Sequence, residues 1–82
     1  MSFVVLVLEG CPYCESVLNH MKRNSLNHNK YVAGENFSFN NFKRKFGDNA
    51  TYPRVYKTDP ENNSINFIGG SDDFHNYMKN EK

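Results

Sequence analysis

The strongest constraint on the fold of this chain is an apolar run from Phe3 to Leu8 that leads, within two residues, into a pair of cysteines. A continuous apolar run that is rich in Val predicts a central strand with both faces covered. Pro12 suits the first turn of a helix, where its missing N–H costs nothing. The apolar residues that follow recur at helical spacing, namely Cys14, Val17, Leu18 and Met21. The chain is therefore predicted to begin with a buried strand that runs directly into a helix.

Three later segments, 30–32, 54–57 and 65–68, have the composition of strands. Residues 59–63 are rich in Pro, Asp and Asn and form a turn, so the last two strands are predicted to pair as a hairpin. A second helix carries Phe39, Phe42 and Phe46 on its inner face, with Ser38 as N-cap and Gly47 as its stop. A third helix follows, with Ser71 as its cap and Phe74, Tyr77 and Met78 turned inwards.

The predicted order is β-α-β-α-β-β-α. A strand–helix–strand start implies parallel strands, and the late hairpin implies an antiparallel edge. The fold class is therefore α/β, with a mixed four-stranded sheet and helices on both faces.

The length and charge of the chain limit what it can bind. Its 82 residues predict a single domain over 1–82. A formal net charge of +1 argues against a broad electrostatic grip on nucleic acid or on an anionic membrane. The apolar run is too short to span a bilayer and lacks the flanks of a signal peptide. We expect a cytoplasmic monomer, in a reducing compartment where structural disulfides rarely persist.

The two cysteines, Cys11 and Cys14, allow three interpretations. A metal site needs about four ligands, and the three histidines, His20, His28 and His75, form no finger-like pair. A structural disulfide would close a very small loop. The interpretation that the sequence favours is a redox dithiol, with no metal and no tightly bound cofactor.

The position of Cys11 supports the redox interpretation. It lies at the start of a helix, where unpaired N–H groups and the helix dipole favour a thiolate, which is the attacking species. Cys14 lies one turn further on the same side and more deeply, so it can resolve a mixed disulfide. Tyr13, between them, is either a simple surface residue or one wall of a substrate groove.

Two other stretches agree with this interpretation, although each also has a simpler one. Thr51-Tyr52-Pro53 precedes a strand and is either a turn or a cis proline beside the cysteines, where the preceding residue offers its backbone to a peptide. Residues 69–73, Gly-Gly-Ser-Asp-Asp, are either a capped turn or a helix N-terminus that receives a carboxylate, with Asp72 available for an amino group.

Together, Cys11-Pro12-Tyr13-Cys14, residues 51–56 (TYPRVY) and residues 68–73 (IGGSDD) resemble the glutaredoxin family over nearly the whole chain. The resemblance implies a thioredoxin-like fold and glutathione as the reducing co-substrate. It implies that Cys11 is the attacking thiolate and Cys14 the resolving thiol. It also implies that glutathione is bound by Tyr13, Thr51, Tyr52, a cis Pro53, Ser71 and Asp72.

The chain departs from the family pattern beside the cysteines. Leu8 stands where many members have a lysine, and Glu15 and Ser16 stand where basic residues are frequent. Tyr52 replaces a residue that is usually small and β-branched. These changes are expected to disfavour a thiolate at Cys11 and to weaken binding of the glycyl carboxylate of glutathione. The residues that can substitute for the missing cation are Asn40, Asn41, Lys43, Arg44 and Arg54.

The function that the resemblance implies is that of a dithiol glutaredoxin, a glutathione-dependent oxidoreductase that reduces protein disulfides and glutathione mixed disulfides. Its partners would be glutathione and disulfide-containing or glutathionylated proteins. Two alternatives remain. One is a similar reductant recharged by thioredoxin reductase, against which the Gly-Gly-Ser-Asp stretch argues. The other is an iron–sulfur cluster-binding module, against which the stiffening Pro12 argues.

Overall fold

The computed structural model describes residues 2–80, which form four strands and three helices in the predicted order. The elements are β1 (Ser2–Val7), α1 (Pro12–Arg23), β2 (His28–Val32), α2 (Phe39–Phe46), β3 (Arg54–Asp59), β4 (Ser64–Gly69) and α3 (Ser71–Asn80). In the described part of the chain, no helix is both long enough and apolar enough to cross a bilayer.

The sheet is mixed, as predicted, with the strand order β2-β1-β3-β4. β1 runs parallel to β2, with Val5 opposite Lys30, and antiparallel to β3, with Val5 opposite Val55. β3 and β4 form the predicted antiparallel hairpin, and their register shifts between Val55 and Tyr56. β2 and β4 are therefore the two edges of the sheet.

The main core lies on one face of the sheet. Phe3, Val5 and Val7 of β1 point to this face and are buried. They belong to one cluster with Val17 and Met21 of α1 and Phe74 of α3. The Phe74 ring meets the Phe3 ring edge-on, with centroids 5.8 Å apart. α1 and α3 therefore cover this face together and fix the position of the helix that carries the cysteines.

The opposite face is covered only in part, contrary to the expectation that both faces of β1 are buried. Val4 and Leu6 of β1 point to this face and are half-buried. α2, which lies on this side, has eight residues and buries only Phe42. Phe67 of β4, in register with Tyr56, remains 54% exposed. A helix of about two turns is too short to cover a four-stranded sheet.

The inner face of α2 also differs from the prediction. Ser38 caps the helix by accepting a hydrogen bond from the Asn41 N–H, and Gly47 ends it, as expected. Phe42 is buried, but Phe39 is 48% exposed because it is the first helical residue and lies over the turn at Gly34. The buried face of α2 is therefore narrower than three phenylalanines suggest.

Candidate active site

Cys11 lies at the junction of the first strand and the first helix. It is the N-cap residue of α1, with Pro12 in the first turn, and its sulfur accepts a hydrogen bond from the Cys14 N–H at 3.4 Å. Gly10 has a φ of +77°, which glycine adopts without strain, and it turns the chain from β1 into α1. Cys11 is half-buried and lies at the N-terminal end of α1, which is the positive end of the helix dipole.

Cys14 lies one turn further along α1 in a different environment. Both cysteines are free thiols, but only 1% of the Cys14 surface is exposed. The pKa of Cys14 is raised to about 12, chiefly by burial and also by a hydrogen bond with Cys11 and the charge of Cys11. At neutral pH Cys14 is therefore a protonated thiol. The two sulfurs are adjacent but unequal, which suits an attacking and a resolving role.

This inequality predicts the outcome of alkylation. Iodoacetamide at pH 7.5 should modify Cys11 in the reduced native chain and leave Cys14 unmodified, because the latter is buried and protonated. Fragment-ion mass spectrometry of the peptide that contains both residues assigns the label. In the matched control, alkylation in guanidinium chloride should label both residues. Labelling of Cys14 ahead of Cys11 in the native chain would contradict this assignment.

A surface groove of about 420 Å³ lies near the cysteines and is named here the active-site groove. It brings together all the residues that the resemblance implies for glutathione, other than the cysteines themselves. Its lining is Tyr13, Thr51, Tyr52, Pro53, Gly70, Ser71, Asp72 and Asp73. Tyr13 is 65% exposed and forms one wall. Three distant parts of the chain therefore meet at one groove.

The middle part of this groove is the loop before β3. The Tyr52–Pro53 peptide bond is cis, as the resemblance implies. The Tyr52 ring stacks on Phe42 of α2, with centroids 4.4 Å apart and planes 19° apart. Burial raises the pKa of Tyr52, and the nearby Cys14 contributes. The large Tyr52 side chain is thus accommodated against α2, where it anchors the loop that carries Pro53.

The end of the groove is the start of α3, which differs in detail from the prediction. Ser71 is the first helical residue and not the N-cap. The Asp73 carboxylate accepts a hydrogen bond from the Gly70 N–H at 3.3 Å, and sequence reasoning missed this role. The sequence signal for this contact is the position of Asp73, an acidic residue three positions after Gly70, which precedes the helix. Ser71 and Asp72 consequently stand in the first turn of α3, at its positive end.

Arg54, one of the candidates to replace the lysine that is missing at Leu8, makes its contacts elsewhere in the structure. The Arg54 guanidinium lies over two rings, 4.0 Å from the centroid of Phe46 and 4.1 Å from that of Phe67, and its Nε donates to the Tyr56 hydroxyl at 2.7 Å. Arg54 is therefore committed to an aromatic cluster on the α2 side of the sheet.

The surroundings of Leu8 hold a basic residue that sequence reasoning missed. Leu8 shares a surface pocket with Lys30 of β2 and with three acidic residues, Glu9, Glu15 and Glu35. Lys30 is in register with Val5 and lines the same pocket as Leu8, a long-range arrangement that the spacing of residues along the chain does not reveal. The acidic residues outnumber this cation, so this side of the cysteine pair has a negative surface.

Among residues 2–80, no group of three or more His, Cys, Asp and Glu side chains is arranged to hold a metal ion. The described histidines and cysteines therefore do not form such a cluster in the structure.

Comparison with known proteins identifies the fold. The structure of reduced glutaredoxin from Escherichia coli is similar to this chain, with a TM-score of 0.66 and 20% sequence identity. The match covers 99% of this chain and 96% of that chain. No protein-family model matches the sequence, and no curated protein matches it. The chain thus has the thioredoxin-like fold that this glutaredoxin has.

Proposed function

We propose that this chain is a glutathione-dependent thiol–disulfide oxidoreductase of the dithiol glutaredoxin type, acting as a monomer in the cytoplasm. The observation that carries the proposal is the active-site groove, in which Tyr13, the cis Pro53 and Asp72 meet beside the N-terminus of α1. The Gly70-Ser71-Asp72 end of this groove argues for glutathione and against a reductant that is recharged by thioredoxin reductase. The structural similarity to reduced E. coli glutaredoxin supports the same function.

The first step of the proposed reaction is attack by Cys11. Its thiolate, stabilised at the start of α1, attacks one sulfur of a substrate disulfide. The substrate S–S bond breaks as the new bond to Cys11 forms, and the departing sulfur leaves as a thiolate that takes a proton from water. The product is a mixed disulfide between Cys11 and the substrate.

The second step uses Cys14, whose sulfur lies next to Cys11. When Cys11 is bound in the mixed disulfide it carries no negative charge, so its contribution to the raised pKa of Cys14 disappears. Cys14 then attacks the Cys11 sulfur, the S–S bond between Cys11 and the substrate breaks, and the proton that Cys14 gives up balances the one that the departing substrate thiolate takes up from solvent. Two electrons have moved to the substrate, and the chain holds a Cys11–Cys14 disulfide.

Glutathione completes the proposed cycle. One molecule attacks the Cys11–Cys14 disulfide, and a second attacks the resulting mixed disulfide at Cys11, so that the dithiol is restored and glutathione disulfide is released. We place the γ-glutamyl carboxylate at the N–H groups that open α3, beside Ser71, and the ammonium group at Asp72. The cysteinyl backbone of glutathione lies along Tyr52, in front of Pro53.

A coupled assay tests the proposal directly. The substrate is the mixed disulfide of glutathione and 2-mercaptoethanol, and NADPH oxidation is followed with glutathione plus glutathione reductase in one cuvette and thioredoxin reductase in another. We expect turnover only in the first. Turnover only with thioredoxin reductase would replace the proposal with the alternative reductant. A visible absorption band of a cluster in freshly purified protein would favour the iron–sulfur module.

The position of Asp72 predicts a specific loss of glutathione use. Asp72→Ala removes the proposed partner of the glutathione ammonium group, and a hydrogen bond to a charged group contributes about 1.5–3 kcal/mol. The KM for glutathione should therefore rise about tenfold to a hundredfold. Asp48→Ala, at an exposed aspartate outside the groove lining, is the matched control. An unchanged KM with an unchanged melting temperature would show that Asp72 only favours the start of α3.

A further inference from the structure

A second groove lies between α2 and the half-covered face of the sheet, and its volume is about 250 Å³. We name it the α2 groove. Its apolar lining consists of Leu6, Tyr31, Phe37, Phe42 and Phe46, and Lys45 stands at its edge. Tyr31 of the edge strand β2 is 42% exposed. The α2 groove therefore offers accessible aromatic surface where short α2 leaves the sheet uncovered.

The charged residues of α2 are all basic, although Glu35 and Asp48 lie just outside residues 37–47. Residues 37–47 contain Lys43, Arg44 and Lys45, all exposed, and no acidic residue. The C-terminal end of a helix favours cations, but the net charge of the whole chain is only +1, so this helix is a local positive surface. On the other side of the cysteines, the pocket at Leu8 is lined by acidic residues. The two flanks of the active site thus have opposite charges.

The α2 groove adjoins the active-site groove through one pair of residues. Phe42 lines the α2 groove and stacks on Tyr52, which lines the active-site groove. One pair of stacked rings therefore separates the two. A polypeptide that extends from the active-site groove into the α2 groove would cross this pair.

We propose that the α2 groove docks an acidic segment of a protein substrate, with one apolar side chain of that segment in the groove and its carboxylates beside α2. The proposal deepens the proposed function and rests on it, because the segment flanks the cysteine that Cys11 attacks. The occupant follows from charge complementarity with α2 and from contact with the active-site groove. The acidic pocket at Leu8 repels the same segment on the opposite side.

The first arm of the test uses two glutathionylated peptides that differ only in charge. Both carry one cysteine and one leucine, and the flanking residues are Asp and Glu in one and Lys and Arg in the other. We expect kcat/KM to be about tenfold higher for the acidic peptide at low salt, and this preference should shrink as the salt concentration rises. Equal values for the two peptides would overturn the proposal.

The second arm tests whether the preference for the acidic peptide arises at the α2 groove. Tyr31→Ser with Lys45→Glu should lower kcat/KM for the acidic peptide about tenfold and leave turnover of the small glutathione–mercaptoethanol disulfide unchanged. The matched control is Ile65→Ser with Lys22→Glu, which changes a more exposed apolar residue and one lysine outside both grooves. An equal loss in the control, or a loss on the small disulfide as well, would contradict docking at this groove.

The third arm separates docking from redox chemistry. A fluorescent acidic peptide with Ser in place of its cysteine should bind the reduced chain by anisotropy, and the groove variant should weaken this binding. Binding without glutathione turnover would overturn the proposed function and retain the docking site. Absence of binding would overturn the docking proposal. A concentration-dependent dimer that the groove variant abolishes would also overturn it, because the α2 groove would then bind a second copy of the chain.

Discussion

Cys11→Ser is expected to abolish every thiol–disulfide reaction of this chain, whereas Cys14→Ser should abolish only reactions that need the intramolecular disulfide. Cys14 cannot replace Cys11, because only 1% of its surface is exposed and burial raises its pKa to about 12. A buried, protonated sulfur neither meets a bulky disulfide nor attacks it. The loss in Cys11→Ser should therefore reach the detection limit.

Two substrates separate the roles of the cysteines. Glutathione mixed disulfides need only Cys11 and a second glutathione, so Cys14→Ser should retain their turnover. Reduction of a protein disulfide such as that of insulin requires Cys14 to release the substrate, so it should fall by at least about tenfold. Both are measured with glutathione reductase and NADPH. Near-wild-type melting temperatures would show that each variant is folded.

The opposite pattern would reverse the assignment. If Cys11→Ser retained turnover of glutathione mixed disulfides and Cys14→Ser lost it, the buried sulfur would be the nucleophile. Such a result would require α1 to open during the reaction, because the structure gives solvent almost no access to Cys14.

The junction of β1 and α1 could be predicted because its determinants are local. An apolar run, a Gly10 that adopts positive φ and Pro12 in the first helical turn follow one another within a few residues. The same is true of the hairpin, whose turn residues lie between two short strands. A parallel crossover and a hairpin leave few topologies, and the observed order β2-β1-β3-β4 is one of them, but the sequence alone does not select it.

The α2 side could not be predicted in the same way, because it depends on how far a helix extends over the sheet. Three phenylalanines at helical spacing predict an inner face, but Phe39 lies at the first residue of α2 and remains exposed. Likewise, the sequence leaves Arg54 available as a cation for the active site, whereas in the fold its guanidinium lies over the rings of Phe46 and Phe67. Neither fact follows from spacing, since the partners lie in other elements.

The sequence could predict that the candidate site residues lie in one groove. It could not predict which of them contact one another. The motifs indicate Tyr13, Pro53 and Asp72, and the fold brings them to one groove. The contact that organises one end of it, from the Gly70 N–H to the Asp73 carboxylate, depends on where α3 begins. Helix boundaries are the part of a sequence prediction that shifts by one or two residues, and that shift moved the cap from Ser71 to Gly70.

Among the possible Gly→Ala substitutions in this chain, Gly69→Ala should lower the stability of the fold most. Gly69 has a φ of +133°, a conformation that residues with a Cβ rarely adopt. An added Cβ would also lie 2.6 Å from the Asp73 Cβ and 2.7 Å from its Cγ, closer than real side chains approach. Asp73 would have to move, and its hydrogen bond to the Gly70 N–H would be lost.

The expected cost of Gly69→Ala is about 2–4 kcal/mol, from backbone strain together with the clash. At about 4–8 °C per kcal/mol for a domain of this size, the melting temperature should fall by about 10–30 °C. The matched control is Gly70→Ala, whose added Cβ would lie 3.7 Å from the Pro53 carbonyl oxygen, an ordinary contact. Gly70→Ala should therefore melt within a few degrees of the wild type. Equal melting temperatures for the two variants would show that the turn before α3 adjusts to a side chain, and Asp73 would then not be what holds the groove at this end.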